Sequence, residues 1–319
     1  MEETHPIRGR FAPSPSGRMH MGNLFAALLA WLDVRSLGGE MLLRMEDLDP
    51  DRCRQSYLDQ LADDLVWLGL DWDLGWQPGD REYCQSSRTA HYREAFDRLA
   101  AQGLVYPCFC TRRELLAASA PHASDGARVY SGRCRSLSQA EREALLAGGR
   151  SPAWRIRVPA ETISFTDGNF GPQSQQLDRD CGDFILRRSD GVYAYQLAVT
   201  ADDGARGVTR VVRGQDLLSS TPRQIWLLKQ LGYPVPAYCH LPLLLSPDGR
   251  RLSKRDRDLD MGYLRAHTTP EKLVGFLAYA AGLLPRPQAV TPYELVGEFA
   301  WDKVGRADRI ITEEAWQAL

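Results

Sequence analysis

The sequence predicts an α/β fold: a parallel sheet whose strands alternate with helices, interrupted by one insertion and closed by helices. Three observations carry that reading. Short apolar runs alternate with longer runs of helical spacing in the N-terminal part, the order a parallel sheet with crossover helices requires. From about 105 to 190 the texture changes: Cys, Gly, Arg and Pro are scattered and helical periodicity is weak. The alternating pattern then returns.

Taken in order, residues 7–12 (IRGRFA) read as a short strand, and 22–37 (GNLFAALLAWLDVRSL) as a helix that Gly38-Gly39 stops. Residues 40–46 (EMLLRME) read as a second strand. Asp49-Pro50 reads as the start of the next helix, with Asp at the N-cap and Pro at the first helical position; Asp47 and Asp49 are both expected to serve as caps. Leu58, Leu61, Leu65 and Leu68 keep helical spacing up to Gly69. Ser86-Ser87 reads as the start of a third helix, running to Gly103. The insertion, 105–190, reads as a partly β subdomain. After it come VYAYQLAV, VTRVVRG and the helix TPRQIWLLKQLG, and two helices opened by Thr269-Pro270 and Thr291-Pro292 close the chain.

Composition bounds the function. The 319 residues suggest two domains, or one with an insertion, and 44% hydrophobic with 25% charged residues implies a packed core. The net charge of -2 gives no global basic field, so any nucleic-acid contact must rest on local patches. No apolar run approaches the ~20 residues of a membrane span. The start, Met1 to Pro6, has neither the basic nor the apolar region of a signal peptide. Seven cysteines, an odd number only partly clustered, favour a reduced, cytoplasmic setting with the clustered thiols as metal ligands.

Two loops carry the chemistry. SPSGRMHMGNL (14–24) lies between the first strand and the first helix, where an open parallel sheet binds ligands. The helix start offers free N–H groups and a dipole to an anion. Gly17 and Gly22 let the backbone come close to a phosphate, and His20 can donate to its oxygens. Much later, Arg250, Arg251, Lys254, Arg255 and Arg257 face only Asp256 and Asp258 within one short stretch. Either this is a solvated charged loop, or it is a cationic loop that neutralises a triphosphate, with Ser253 and Lys254 supplying a hydroxyl and a compact charge.

At this point the chain resembles a known family. RFAPSPSGRMHMGNL, LLRMEDLDPDR, LVWLGLDWD, YPCFCT, AYQLAVTADD, VTRVVRGQDLLSSTPRQ, HLPLLL and RLSKR occur in the order found in class I glutamyl-tRNA synthetases, from about residue 8 to 256. The similarity is closest to that family's short paralogue, which lacks the anticodon-binding domain; the stretch after Arg255 suits two or three helices, not such a domain. The resemblance implies a Rossmann-type parallel sheet with an inserted zinc-bearing subdomain and a small C-terminal helical region. It divides the chain into a first catalytic half (1–104), the zinc-bearing, RNA-contacting insertion (105–190), a second catalytic half with the KMSKS-type loop (191–256) and a helical subdomain (257–319).

It also implies an activity: ATP-dependent formation of glutamyl-adenylate, then transfer of glutamate to the queuosine base at the wobble position of tRNA(Asp). His20-Met21-Gly22-Asn23 then stands for the HIGH-type motif and Arg251-Leu252-Ser253-Lys254-Arg255 for the KMSKS-type motif. His20, Gly22, Asn23, Ser253 and Lys254 are the implied ATP contacts, with Mg²⁺ accompanying ATP. Lys254 is expected to contribute most to the transition state and His20 next, by charge and positioning rather than covalent chemistry. Asn23 replaces the second His of the motif. The implied glutamate pocket comprises Arg10, Phe11, Ala12, Pro13, Ser14, Glu46, Tyr195 and Arg213: guanidiniums for carboxylates, Glu46 for the ammonium, Tyr195 for a wall and a hydroxyl. Cys108, Cys110 and Cys134 need a fourth ligand for tetrahedral zinc. Chemistry alone favours His122 over Tyr130 and Asp125; the family pattern Y-x-x-x-C, matched by Tyr130 to Cys134, selects Tyr130. Arg128, Arg133 and Arg135 are candidate phosphate contacts for the anticodon stem-loop. The expected state is a cytoplasmic monomer with one structural zinc. The rival readings are a truncated enzyme charging a tRNA 3′ end, an enzyme joining glutamate to a small amine, and an RNA-binding module without catalysis.

Overall fold

The computed structural model describes residues 6–49, 51–111, 114, 129–250, 252 and 260–312. Strands β1 (Arg8–Phe11), β2 (Glu40–Leu43) and β3 (Leu74–Gly75) come first. β4 (Val105–Cys108), β5 (Ala153–Ile156), β6 (Thr162–Asp167), β7 (Gly171–Gln176) and β8 (Phe184–Arg187) follow, then β9 (Arg210–Gly214) and β10 (Ala237–Leu241). The main sheet has the order β10-β9-β1-β2-β3 and is parallel throughout. Chain order reverses at β1, which pairs with β2 on one side and β9 on the other. Ligands of open α/β sheets bind at the carboxyl ends of strands beside such a reversal.

Helix α1 (Met21–Ser36) leaves β1 at that point and is buried on nearly all sides, from Met21 and Leu24 to Leu32 and Val34. A helix apolar all round needs cover all round. The sheet supplies one side and helices α8 (Pro270–Ala281) and α9 (Pro292–Val296) the other. Gly9 permits the close approach of β1: a Cβ there would lie 2.2 Å from Val34 Cγ2. Further helices among the described residues are α2 (Gln55–Trp67), α3 (Thr89–Ala101), α4 (Gln139–Ala147), α5 (Tyr195–Ala205), α6 (Thr221–Gln230) and α7 (Met261–His267).

Between α3 and α5, β4-β5-β8 form an antiparallel sheet and β6-β7 an antiparallel hairpin. Ile156, Val158, Ile163, Leu177 and Phe184 from this region share one core with Leu197, Ala198, Val211 and Ile225. Among the described residues the thiol corner has a small cluster of its own, Tyr106, Cys108, Phe109, Tyr130 and Cys134.

Several boundaries differ from expectation. α2 starts at Gln55 behind Arg54, not at Asp49-Pro50. Asp49 is used by its own turn: its carbonyl takes the N–H of Arg52 and Cys53 (3.2 and 3.1 Å) and its carboxylate that of Asp51 (3.2 Å). An Asp that satisfies its local backbone has spent the acceptor a helix cap needs. Asp47 does not cap α2 either. It is buried and takes the Ser86 N–H (2.8 Å) and hydroxyl (2.6 Å), tying β2 to the segment before α3. Ser86 and Ser87 form a short 3-10 turn, so α3 begins only at Thr89. Thr269 and Thr291 cap α8 and α9 as expected, each with Pro at the start. Among the described residues no helix is long and apolar enough to cross a membrane.

Candidate active site

A cavity of about 530 Å³ opens at the carboxyl ends of β1 and β9. Arg10, Phe11, Ala12, Pro13 and Ser14 line it from β1 and the loop beyond, and His20, Gly22 and Asn23 from the start of α1. Glu46, Tyr195 and Arg213 complete the set expected to meet glutamate. Ser253 and Lys254 lie outside the described residues, as do Arg128, His122 and Asp125. The flanks of the cationic loop do reach the cavity. Leu252 is buried in its wall and donates its N–H to the Leu244 carbonyl (3.3 Å). Asp260 pairs with His20 as an isolated bridge, and the Met261 N–H donates to the Met19 carbonyl (2.9 Å).

His20 is the N-cap of α1, with extended backbone. Asn23, three residues on, accepts the His20 N–H on its side-chain oxygen at 3.2 Å. That is the reciprocal half of a capping box, so the residue replacing the motif's second His holds the helix start. At Gly22 a Cβ would come within 3.1 Å of the His20 ring, so the glycine leaves the imidazole its place.

Beneath these residues lies a buried chain of charges. The Arg10 guanidinium meets Asp203 at 3.4 Å and donates to the Val212 carbonyl at 3.3 Å. Arg44 bridges Asp203 (2.6 Å) and Glu46 (3.0 Å), and lies 3.8 Å from Asp202. Asp202 is further held by Arg88 (2.6 Å), the Tyr92 hydroxyl (2.8 Å) and the Gln85 amide (3.0 Å). Alternation of sign lets buried charges survive desolvation. Burial pushes the Glu46 carboxyl above its ordinary range although Arg44 pulls it down. For Asp203, burial is outweighed by Arg44 and Arg10, and its carboxyl is held below the ordinary range. Burial raises the Tyr195 phenol.

Arg213 is held differently. Its Nε donates to His240 Nε2 (3.1 Å), Nη1 to the Gln224 side-chain oxygen (2.7 Å), and Nη2 to Thr221 Oγ1 (2.8 Å) and the Leu217 carbonyl (3.4 Å). An accepting Nε2 assigns the His240 proton to Nδ1, which lies 2.6 Å from Asp167 Oδ2. Burial, with Arg213 close by, keeps His240 below its usual value and therefore neutral near pH 7. Asp167 Oδ1 accepts three backbone N–H groups, from Asn169 (3.0 Å), Phe170 (2.9 Å) and His240 (3.1 Å). A residue of the β6 strand thus orients a guanidinium on β9. Sequence reasoning missed Asp167, His240, Arg44, Asp202 and Asp203 as site residues. All but Asp167 fall inside the quoted family strings, and a strong local signal for Asp167 is lacking.

The thiol corner brings Cys108, Cys110 and Cys134 together, with all three Sγ atoms within 4.8 Å. Cys110 and Cys134 sulfurs are 3.5 Å apart, and the Tyr130 hydroxyl lies 3.5 Å from Cys108 Sγ and 3.6 Å from Cys110 Sγ. Burial and the neighbouring sulfurs push the Cys110 thiol up to about 12. Arg155 donates to Cys108 Sγ (3.3 Å) and stacks 4.0 Å over the Tyr130 ring. Arg135 lies 3.8 Å from Asp183, and exposed Arg133 3.6 Å from Glu114. Cys53, Cys84, Cys181 and Cys239 are apart from this cluster, and no disulfide joins the seven.

Comparison with known proteins agrees with this geometry. The family tRNA synthetases class I (E and Q), catalytic domain, matches residues 6–281. A Symbiobacterium thermophilum protein, glutamyl-Q tRNA(Asp) synthetase, is 50% identical over 98% of this chain and 98% of its own length. A protein of the same name from Nitratidesulfovibrio vulgaris is 50% identical over 91% of each chain. The crystal structure of glutamate-tRNA synthetase from Elizabethkingia anophelis superposes with a TM-score of 0.82 at 28% identity, covering 97% of this chain and 69% of that one. The fold is that of class I tRNA synthetases, and the chain belongs to their glutamyl-Q tRNA(Asp) synthetase family.

Proposed function

We propose that the protein activates L-glutamate with ATP and transfers the glutamyl group to the queuosine base at the wobble position of tRNA(Asp). The observation that carries this reading is the convergence of Arg10, Glu46, Tyr195 and Arg213 on one cavity at the start of α1. In the first step the α-carboxylate attacks the α-phosphate of ATP, glutamyl-adenylate forms and pyrophosphate leaves. The phosphates meet the α1 N-terminus and His20. Ser253 and Lys254 bring a hydroxyl and a cation from the loop whose flanks, Leu252 and Asp260, sit at the cavity. Mg²⁺, entering with ATP, supplies further neutralisation of phosphate charge. Glu46 pairs with the ammonium. The γ-carboxylate stays charged through the reaction while the α-carboxylate does not, so Arg213, whose hydrogen-bond partners among the described residues are all neutral, is assigned to the γ-carboxylate.

Zinc fits the thiol corner. Tetrahedral bonds of about 2.3 Å to sulfur and 2.0 Å to oxygen place ligand atoms roughly 3.5–3.8 Å apart; the Cys110–Cys134 sulfur separation and the Tyr130 hydroxyl's separations from Cys108 and Cys110 fall at that spacing, and all three sulfurs lie within 4.8 Å of one another. Cys108, Cys110, Tyr130 and Cys134 would hold the ion. It would replace thiol crowding with a shared cation and staple a corner with little apolar core. Metal analysis should find one zinc per chain, lost in Cys134→Ser; purified protein without zinc contradicts this assignment. Arg133 and Arg135 beside it are then phosphate contacts for an anticodon stem-loop.

The direct test is ATP–pyrophosphate exchange with glutamate, followed by transfer of labelled glutamate to RNA. Exchange without RNA and label on queuosine-bearing tRNA(Asp) are expected. Label only on the 3′ end of tRNA(Glu) overturns the acceptor and favours a truncated charging enzyme.

A further inference from the structure

A second cavity, about 460 Å³, lies between the β6–β7 hairpin and the 3-10 turn Gln215–Ser220. Its volume falls in the roughly 300–1,000 Å³ range of small-molecule sites. Asp216 lines both cavities, so their occupants would meet across one side chain. Gly214 leaves that carboxylate room: a Cβ there would lie 2.5 Å from Asp216 Oδ1.

The chemistry of the two cavities is opposite. The first presents Arg10, Arg18 and Arg213. Among the described residues no Arg, Lys or His lines the second. Its polar walls are Asp180, Asp216 and the amides of Gln173, Gln175 and Gln215, with the Phe165 ring beside them. Gln173 spends its amide nitrogen on the Phe170 and Gly171 carbonyls (3.2 and 3.4 Å), and Gln215 gives its nitrogen to the Asp308 carboxylate. Their oxygens remain as acceptors. Two carboxylates, amide oxygens and an aromatic face, without a cation, repel phosphate and suit a flat ligand rich in donors and carrying positive charge.

We propose that this cavity is the subsite for the acceptor base, an inference that rests on the function read above. A queuosine base has that chemistry: a 7-deazaguanine face with N–H donors, a protonated secondary amine, and a cyclopentene diol. Phe165 stacks on the ring, Asp180 faces the ammonium, and Asp216 accepts a hydrogen bond from a diol hydroxyl. That hydroxyl oxygen attacks the glutamyl carbonyl carbon. A carbon–oxygen ester bond forms, the bond from carbonyl carbon to phosphate oxygen breaks, AMP leaves with the electron pair, and the hydroxyl proton passes to Asp216.

The test measures RNA-free glutamate-dependent exchange and transfer to a queuosine-bearing anticodon stem-loop for wild type, Asp180→Asn, Asp180→Arg and Gln175→Leu. All four should exchange at the same rate. Asp180→Asn should raise KM for the stem-loop about tenfold, Asp180→Arg more, and Gln175→Leu less. Unchanged transfer in all three variants overturns the subsite. So does improved transfer by Asp180→Arg, which would mark a phosphate-contact surface instead. Wild-type protein that exchanges with glutamate yet labels no queuosine RNA overturns the acceptor reading, and the base subsite with it; variants that fail beside an active wild type bear on the cavity alone.

Discussion

Arg10 and Arg213 face one cavity from neighbouring strands, yet their surroundings are opposite. Arg10 leans on Asp203, which Arg44 also holds, within a chain of alternating charges. Arg213 has His240, Gln224, Thr221 and a carbonyl, all neutral. The first guanidinium has a direct ion pair before any ligand arrives; the second, among the described residues, is oriented by neutral groups and feels the Asp203 charge only at longer range. A buried cation with no direct ion pair among the described residues gains from an anion that a ligand brings, so Arg213 is poised to gain most from a carboxylate.

The largest expected effect follows directly. Arg213→Ala should lower kcat/KM for glutamate in exchange by about 10²–10³-fold, the scale of truncating a buried charged partner. Arg213→Lys should recover little, because the four acceptors match a planar fork. Arg10→Ala should cost less, about tenfold, since Asp203 keeps Arg44. Equal losses at the two arginines break the comparison.

Next comes Asp167→Asn, which probes orientation without touching the cavity. The three backbone N–H groups on Oδ1 would keep the amide oxygen, so the amide nitrogen would face His240 Nδ1. His240 would then carry its proton on Nε2, donor against donor with Arg213. KM for glutamate should rise about tenfold, as for other second-layer partners, and ¹⁵N spectra should report the changed tautomer. An unchanged tautomer with unchanged KM removes Asp167 from the account.

The smallest effect is on pH dependence. Glu46 is held above the ordinary carboxylate range by burial, so on acidification it protonates before an ordinary Glu near pH ~4.3 does. KM for glutamate should therefore rise as pH falls, beginning above that value. Asp203 is held below its ordinary range, burial being outweighed by Arg44 and Arg10. Its stabilisation is complete above the unfolded value of about 3.9 and is lost only as pH falls through the lower folded value. Binding should thus weaken while the fold still stands; simultaneous loss of both by thermal melting would contradict the assignment.

What could be read from the sequence was local. The strand–loop–helix around His20, the Thr-Pro helix starts and the Cys-x-Cys spacing each rest on chemistry within a few residues. The start of α2 was misplaced because Asp49 serves a turn as well as it would a cap. The partners that tune the cavity were hidden for a different reason. Arg44 and Asp203 are 159 positions apart, and Asp167 and His240 73. No periodicity joins them; the order of strands does, by setting β9 beside β1 and the β6 end against β10. Arg10 pairs with Asp203, 193 positions away, whereas Glu46 pairs with Arg44 only two residues before it.

The central claim is that Arg213, oriented by neutral hydrogen-bond partners, selects a charged side chain. RNA-free ATP–pyrophosphate exchange with glutamate against glutamine tests it most directly. Wild-type protein should prefer glutamate by about 10³-fold or more, as sites built on a buried polar partner do, and Arg213→Gln should erase most of that preference. Equal exchange with the two amino acids in the wild type, or a preference that survives Arg213→Gln intact, would contradict it.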